Sequence, residues 1–158
     1  MTKQQCYAAA SREIEIRLEK GGDLISDLGN ITAVLKKRLT VFSWIGFYFY
    51  RDSHLILGPF QGPPACVFLE MNHGVCGTCA AELKSIIVPD VRRFPGHVAC
   101  DPDSRSEIVI PCFNLENQLA AVLDIDSDQL AAFDETDQIN LEQLCECLRT
   151  IWRPVRYD

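Results

Sequence analysis

The segment Ser106-Glu107-Ile108-Val109-Ile110-Pro111-Cys112-Phe113-Asn114-Leu115-Glu116-Asn117-Gln118-Leu119-Ala120-Ala121-Val122-Leu123-Asp124-Ile125-Asp126-Ser127 decides the fold of this chain. Two apolar, strand-like runs, Glu107 to Leu115 and Gln118 to Ile125, flank Glu116-Asn117, which reads as an antiparallel hairpin. With Glu116 and Asn117 as the two turn residues, Glu107 faces Asp126. Asp124 lies two residues from Asp126, hence on the same face and diagonal to Glu107. Like charges so placed raise at least one carboxyl pKa, and burial among Ile and Val acts in the same direction. Such an acid stays protonated near neutral pH. The alternative is that these acids sit at exposed strand ends and are simply solvated. A one-residue change in the turn would also break the geometry.

Upstream, Val41 to Tyr50 is aromatic and β-branched, Arg51-Asp52-Ser53 is polar and His54 to Leu57 is apolar, so a second hairpin is expected. Alternation along Phe42 to Tyr50 places Phe42, Trp44, Gly46, Tyr48 and Tyr50 on one face, with Gly46 leaving a gap between Trp44 and Tyr48. A small apolar group such as a methyl fits such a gap, although an aromatic core is the commoner use. Cys66 to Met71 is a candidate third strand, Gly74 to Leu83 a helix and Ser85 to Val88 a short strand. Val91 to Ser106, with Pro95, Gly96 and Pro102, reads as a long functional loop. At the N-terminus, Gln4 to about Lys20 reads as a helix stopped by Gly21-Gly22. A second begins after Asp23 as N-cap, with Leu24, Ile25, Leu28, Ile31, Val34, Leu35 and Leu39 at helical spacing. Thr136 to Ile151, capped by Asp134 or Thr136, is the last helix. The expected fold class is α+β: one domain over 1–158, with a helical segment at about 3–39, a central antiparallel sheet and active-site loops at about 41–127, and a C-terminal helix at about 135–152.

At 158 residues the chain can bury roughly two-thirds of its unfolded surface in a single core. The eight cysteines are therefore not needed as structural staples. Met1 to Lys20 is interrupted by charges, so neither a signal peptide nor a membrane span is expected, and a cytoplasmic setting with reduced thiols is the default. A net charge of -7 argues against nucleic acid and anionic membranes as partners.

Three thiols fall in glycine-bounded phrases: Gly58-Pro59-Phe60-Gln61-Gly62-Pro63-Pro64-Ala65-Cys66, Gly74-Val75-Cys76-Gly77 and Gly96-His97-Val98-Ala99-Cys100-Asp101. A reactive cysteine needs thiolate character and access; His97 and the loop setting favour both for Cys100, while Asp101 opposes ionisation. Cys66 and Cys76 each follow a turn and are candidate resolving partners that convert a sulfenic acid to a disulfide. Cys76-Gly77-Thr78-Cys79 is a lone C-x-x-C, which admits a dithiol or half a zinc site completed from Cys66, His73, His97 or Cys100. Cys6, Cys112, Cys145 and Cys147 fall on helical or strand positions and read as inert packing or surface thiols.

Taken together with Trp44-Ile45-Gly46-Phe47-Tyr48, these phrases and the acid-bearing strands resemble the free methionine-(R)-sulfoxide reductases, a family of single GAF domains, from about Phe42 to Ser127. The resemblance implies Cys100 as nucleophile, Cys66 as principal resolving cysteine and Cys76 as a third thiol able to join the exchange. It implies that Glu107, Asp124 and Asp126 hold the substrate ammonium and sulfoxide oxygen, one of them supplying a proton, and that Trp44 and Tyr48 line a methyl pocket. Backbone N–H groups from His97 to Cys100, Ala99 among them, would cradle the carboxylate. The implied partners are free methionine-(R)-sulfoxide, a thioredoxin-type dithiol reductant drawing indirectly on NADPH, and a second copy of the chain in a homodimer. No bound cofactor or metal is expected. Pro63-Pro64 departs from the basic and aliphatic pair usual in the family and stiffens the Cys66 loop; Cys79 replaces a more common alanine and Ala121 a common glycine. The rival readings are a ligand-sensing GAF module, for example for a cyclic nucleotide, with redox-sensitive thiols, and a zinc-stabilised interaction domain.

Overall fold

The computed structural model describes residues 1–97 and 100–152. Its elements, in chain order, are α1 (Lys3–Leu18), α2 (Leu24–Arg38), β1 (Trp44–Arg51), β2 (His54–Gln61), β3 (Phe68–Glu70), α3 (Gly74–Glu82), β4 (Ile86–Val88), β5 (Ser106–Phe113), β6 (Leu119–Ser127) and α4 (Glu135–Cys147). Short 3-10 turns occupy Val91–Arg93 and Leu148–Thr150. The strands form one antiparallel sheet in the order β3-β2-β1-β6-β5-β4.

Local chemistry sets the helix ends. Thr2 and Gln5 form a reciprocal capping box on α1, and the Asp23 carboxylate accepts from the backbone N–H groups of Ile25 and Ser26 at the start of α2. Asp134 caps α4, as expected, through a box closed by Asp137. The C-terminal helix is shorter than expected, giving way to the 3-10 turn at Leu148. Buried Asp137 accepts from Tyr7 Oη at 2.8 Å and from Lys3 Nζ at 2.5 Å, which ties α1 to α4.

The sheet has two unlike faces because strand side chains alternate. Ile45, Phe47 and Phe49 of β1, Ile108 and Ile110 of β5, and Leu123 and Ile125 of β6 join one core with the apolar residues of α1, α2 and α4. The opposite parity, Trp44 and Tyr48 of β1, Val109 of β5 and Val122 of β6, packs with Val75, Cys76, Cys79 and Ala80 of α3. Phe42 does not share the face of Trp44: β1 begins only at Trp44, alternation does not reach back to position 42, and Phe42 instead packs in the first core beside Phe133, ring centroids 5.8 Å apart.

Strand β2 runs four residues beyond its expected end, through Pro59 to Gln61. Its register with β1 shifts between Gly46 and Tyr48, and β3 covers only His54 to Ile56, so Pro59 lies where no ladder donor is required. The β5–β6 register places Glu107 opposite Asp126, as expected, although the turn differs. Asn117 N–H donates to Asn114 O at 3.2 Å, and Asn117 takes φ 59°, giving a three-residue connection rather than a two-residue one. A second irregularity between Cys112 and Phe113 restores the register. Two one-residue deviations cancel, and the acids still meet.

Candidate active site

Register alone builds the floor of the site. Across the three central strands, Trp44 pairs with Asp126 and Asp126 with Glu107, while Gly46 pairs with Asp124 and Asp124 with Val109. All three carboxyl groups therefore rise from the face that α3 covers. Glu107 and Asp124 are each 6 % exposed and Asp126 is half-buried, so the solvated-strand-end alternative does not hold. Ser104 donates its hydroxyl to Asp126 Oδ1 at 2.9 Å. One oxygen of Asp124, Oδ1, is buried and has no hydrogen-bond partner.

Burial pushes the Glu107 carboxyl well above the usual carboxylate range, and the Asp124 and Asp126 charges push it further. Asp126 is raised for the same reasons, burial first and then Asp124. Asp124 is raised by burial to about 6, with neighbouring Glu107 and Cys76 limiting the rise. The arrangement thus holds a protonated acid beside one that ionises near neutrality.

Above the acids, the Trp44 ring stacks with Phe60 at 5.4 Å between centroids and lies 6.1 Å from Tyr48. A Cβ built at Gly46 would strike the Trp44 ring and Phe60 Cβ, so the gap expected over Gly46 is filled by the indole itself; the aromatics form a wall. Both wall residues also hold the Cys66 loop: Trp44 Nε1 donates to Pro63 O at 3.0 Å and Tyr48 Oη to Cys66 O at 3.0 Å. Pro63-Pro64 thus sits in an anchored segment.

Cys66 and Cys100, separated by 34 positions, are joined by a disulfide with Cα atoms 5.5 Å apart. Cys100 lines a pocket of about 560 Å³, open mouth included, together with Trp44, Tyr48, Glu107, Asp124 and Asp126. Cys76, from the first turn of α3, lines it too and donates its S–H to Glu107 Oε1 at 3.8 Å. Burial pushes the Cys76 thiol well up, and the three acids add to the shift, so it is a poor thiolate. Cys79 is fully buried and also raised, chiefly by burial, against the exposed, reactive dithiol a C-x-x-C suggests. His97 reaches the pocket, but burial lowers its pKa, which leaves a neutral ring near pH 7 rather than a cation promoting a thiolate. Ala99 and Val98 lie outside the described residues. Cys112 and Cys145 are buried against each other, Sγ to Sγ 3.4 Å, Cys6 is half-buried and Cys147 exposed, all away from the pocket.

Sequence reasoning missed Ser104 and Leu69, which the folded loop and β3 bring to the pocket. Neither carries a local signal; Phe60 does, in the Gly58-Pro59-Phe60 phrase, but its stacking on Trp44 depends on the longer β2. Among the described residues the donor atoms of Cys76, Glu107 and Asp124 lie within 4.8 Å of one another, a set different from the zinc ligands weighed around the C-x-x-C. Among the described residues no helix is long and apolar enough to cross a membrane.

Residues 28–149 match the GAF domain model. The chain is 40% identical over 157 residues to the Escherichia coli free methionine-R-sulfoxide reductase, covering 99% of this chain and 94% of that protein. It is also 40% identical over 131 residues to the Saccharomyces cerevisiae protein of that name, covering 78% and 73%. The chain belongs to the free methionine-R-sulfoxide reductase family of GAF domains. Among solved structures it superposes on the Neisseria meningitidis free methionine-R-sulfoxide reductase, determined in complex with its substrate, with a TM-score of 0.91 at 39% identity, covering 94% of this chain and 89% of that one. Within one pocket this family member brings together Cys76, Cys100, the three acids and the Trp44–Tyr48 wall.

Proposed function

We propose that this chain reduces free L-methionine-(R)-S-oxide to L-methionine. The observation that carries the reading is the Cys66–Cys100 disulfide at a pocket floored by three enclosed acids. Asp124, which ionises near neutrality and has a buried oxygen without a partner, receives the substrate ammonium. Glu107 or Asp126, holding its proton, donates to the sulfoxide oxygen and makes sulfur electrophilic. The Trp44 and Tyr48 rings take the methyl group. The Cys100 thiolate attacks sulfur; the protonated oxygen then passes from that sulfur to Cys100 Sγ as the S–O bond and the transient S–S bond break, so methionine leaves and Cys100 becomes a sulfenic acid. Cys66 condenses with it, releasing water and forming the disulfide. A thioredoxin-type dithiol then reduces the disulfide, drawing on NADPH through its own reductase. Peptide-bound methionine sulfoxide is excluded because an amide brings no positive charge to Asp124. The family likeness also carries a homodimer and a cytoplasmic setting into this reading; sedimentation tests the first and fractionation the second.

The test is thioredoxin-coupled NADPH oxidation with the free R epimer, the free S epimer and a peptide-bound R sulfoxide, comparing wild type with Cys100→Ser. Turnover of the free R epimer alone, lost in the variant, is expected. No turnover even with dithiothreitol would overturn the reading and favour a ligand sensor.

A further inference from the structure

An ammonium group asks only for oxygen acceptors, yet the third corner of this acid cluster is a thiol. Cys76 Sγ lies 3.8 Å from Glu107 Oε1, and the donor atoms of Cys76, Glu107 and Asp124 all fall within 4.8 Å of one another. Cys76 takes no part in the Cys66–Cys100 disulfide, and its position is fixed by α3, whose Gly77 packs against the backbone of Glu70 and Asn72. The second, independent observation is the Asp124 carboxylate: 6 % exposed, facing the pocket, with Oδ1 unpartnered. A tetrahedral Zn²⁺ with bonds of about 2.0–2.3 Å sets its donors roughly 3.3–3.8 Å apart, so side-chain shifts of about 1 Å close the set. One thiolate with two carboxylates suits a borderline-soft ion and not Mg²⁺ or Ca²⁺, which prefer oxygen donors alone. All three residues line the open pocket.

We propose that Cys76, Glu107 and Asp124 form a binding site for a thiophilic divalent cation of the Zn²⁺ class, and that its occupation excludes substrate. Binding replaces the Cys76 S–H proton by an S–metal bond and releases that proton, and the proton held by Glu107, to solvent. No electron is transferred. The competition with substrate rests on the placing of the substrate ammonium at Asp124; the metal site itself does not.

The experiment uses the full chain in its disulfide form, in which Cys66 and Cys100 cannot serve as thiolate ligands, and Co²⁺ as probe. One equivalent of Co²⁺ is expected to give thiolate-to-metal charge-transfer absorption that Zn²⁺ bleaches. The absorption should disappear in Cys76→Ser and persist in Cys147→Ser, an exposed-thiol control. Should Cys76→Ser fold poorly by circular dichroism, Asp124→Asn serves instead, with Co²⁺ affinity expected to fall roughly tenfold or more. Absence of the band in the wild type, its survival in a folded Cys76→Ser, or unchanged affinity in Asp124→Asn overturns the proposal. Free L-methionine should raise the apparent Co²⁺ dissociation constant. A Cys76-dependent band that methionine leaves untouched supports the metal site, but overturns its competition with substrate and the ammonium placement.

Discussion

Asp124→Asn should make the folded protein more stable and the enzyme worse, and the two effects have separate origins. The folded carboxyl titrates at about 6, against 3.8 for an unperturbed aspartate. A difference of about two units corresponds to roughly 3 kcal/mol at about 1.4 kcal/mol per unit. Well below pH 3.8 both folded and unfolded chains hold this proton and the group adds no pH dependence. As pH rises from there toward 6, the unfolded chain ionises first, so stability falls. Above about 6 the folded carboxyl ionises too and the penalty is constant. Asparagine keeps the shape and removes the charge, and with that charge gone Glu107 and Asp126 also ionise more readily. The expected gain is about 2–3 kcal/mol at pH 8, shrinking to about 0.6 kcal/mol near pH 4. For a domain of this size that corresponds to about 5–10 °C in melting temperature at pH 8. Calorimetry or urea denaturation of both proteins in the disulfide form, from pH 4 to 8, measures it. In the reduced enzyme, losing the charge-assisted bond proposed between Asp124 and the substrate ammonium should lower kcat/KM roughly 10- to 100-fold. An asparagine variant no more stable than wild type at pH 8, or equally stabilised at pH 4, would refute the claim that this carboxylate is ionised at a cost.

Tyr48→Phe removes the hydroxyl that holds Cys66 O and should slow disulfide formation about 3- to 10-fold, the kinetic equivalent of about 1 kcal/mol, as read by single-turnover thiol loss. Methionine release in the same experiment should change less. Gly77→Ala places a Cβ against Glu70 O and 3.2 Å from Asn72 N, both backbone atoms; α3 must shift, carrying Cys76 away from Glu107, with a stability loss of about 1–3 kcal/mol by denaturant titration. A variant of wild-type stability would show that the β3–α3 corner yields freely. Asp137→Ala strips Tyr7 Oη of its partner, leaves Lys3 Nζ with Asp134 alone and breaks the α4 capping box; about 2–4 kcal/mol of stability should be lost, while turnover of the still-folded fraction is retained.

Much of this protein is local and so was legible in the chain. A strand repeats its faces every two residues, so Glu107, Asp124 and Asp126 share a surface whatever surrounds them, and Asp23 and Asp134 cap helices because a short carboxylate reaches the free N–H groups beside it. What lies over that surface was not legible, since burial is conferred by segments distant in sequence. The α3 helix and the loop before β5 turn three ordinary acids into an enclosed set with raised pKa values, and bring Ser104 onto Asp126. Strand alternation failed at Phe42 because the strand had not yet begun, and the gap over Gly46 was closed by a ring that could have pointed elsewhere. The expected two-residue turn does not form, and Glu107 still faces Asp126 only because a bulge in β6 offsets the residue gained in the connection. Residue spacing therefore determined which side chains could share a face. Tertiary packing decided which of them lose water, and with it their proton affinity and their distance to a thiol 34 positions away from its partner.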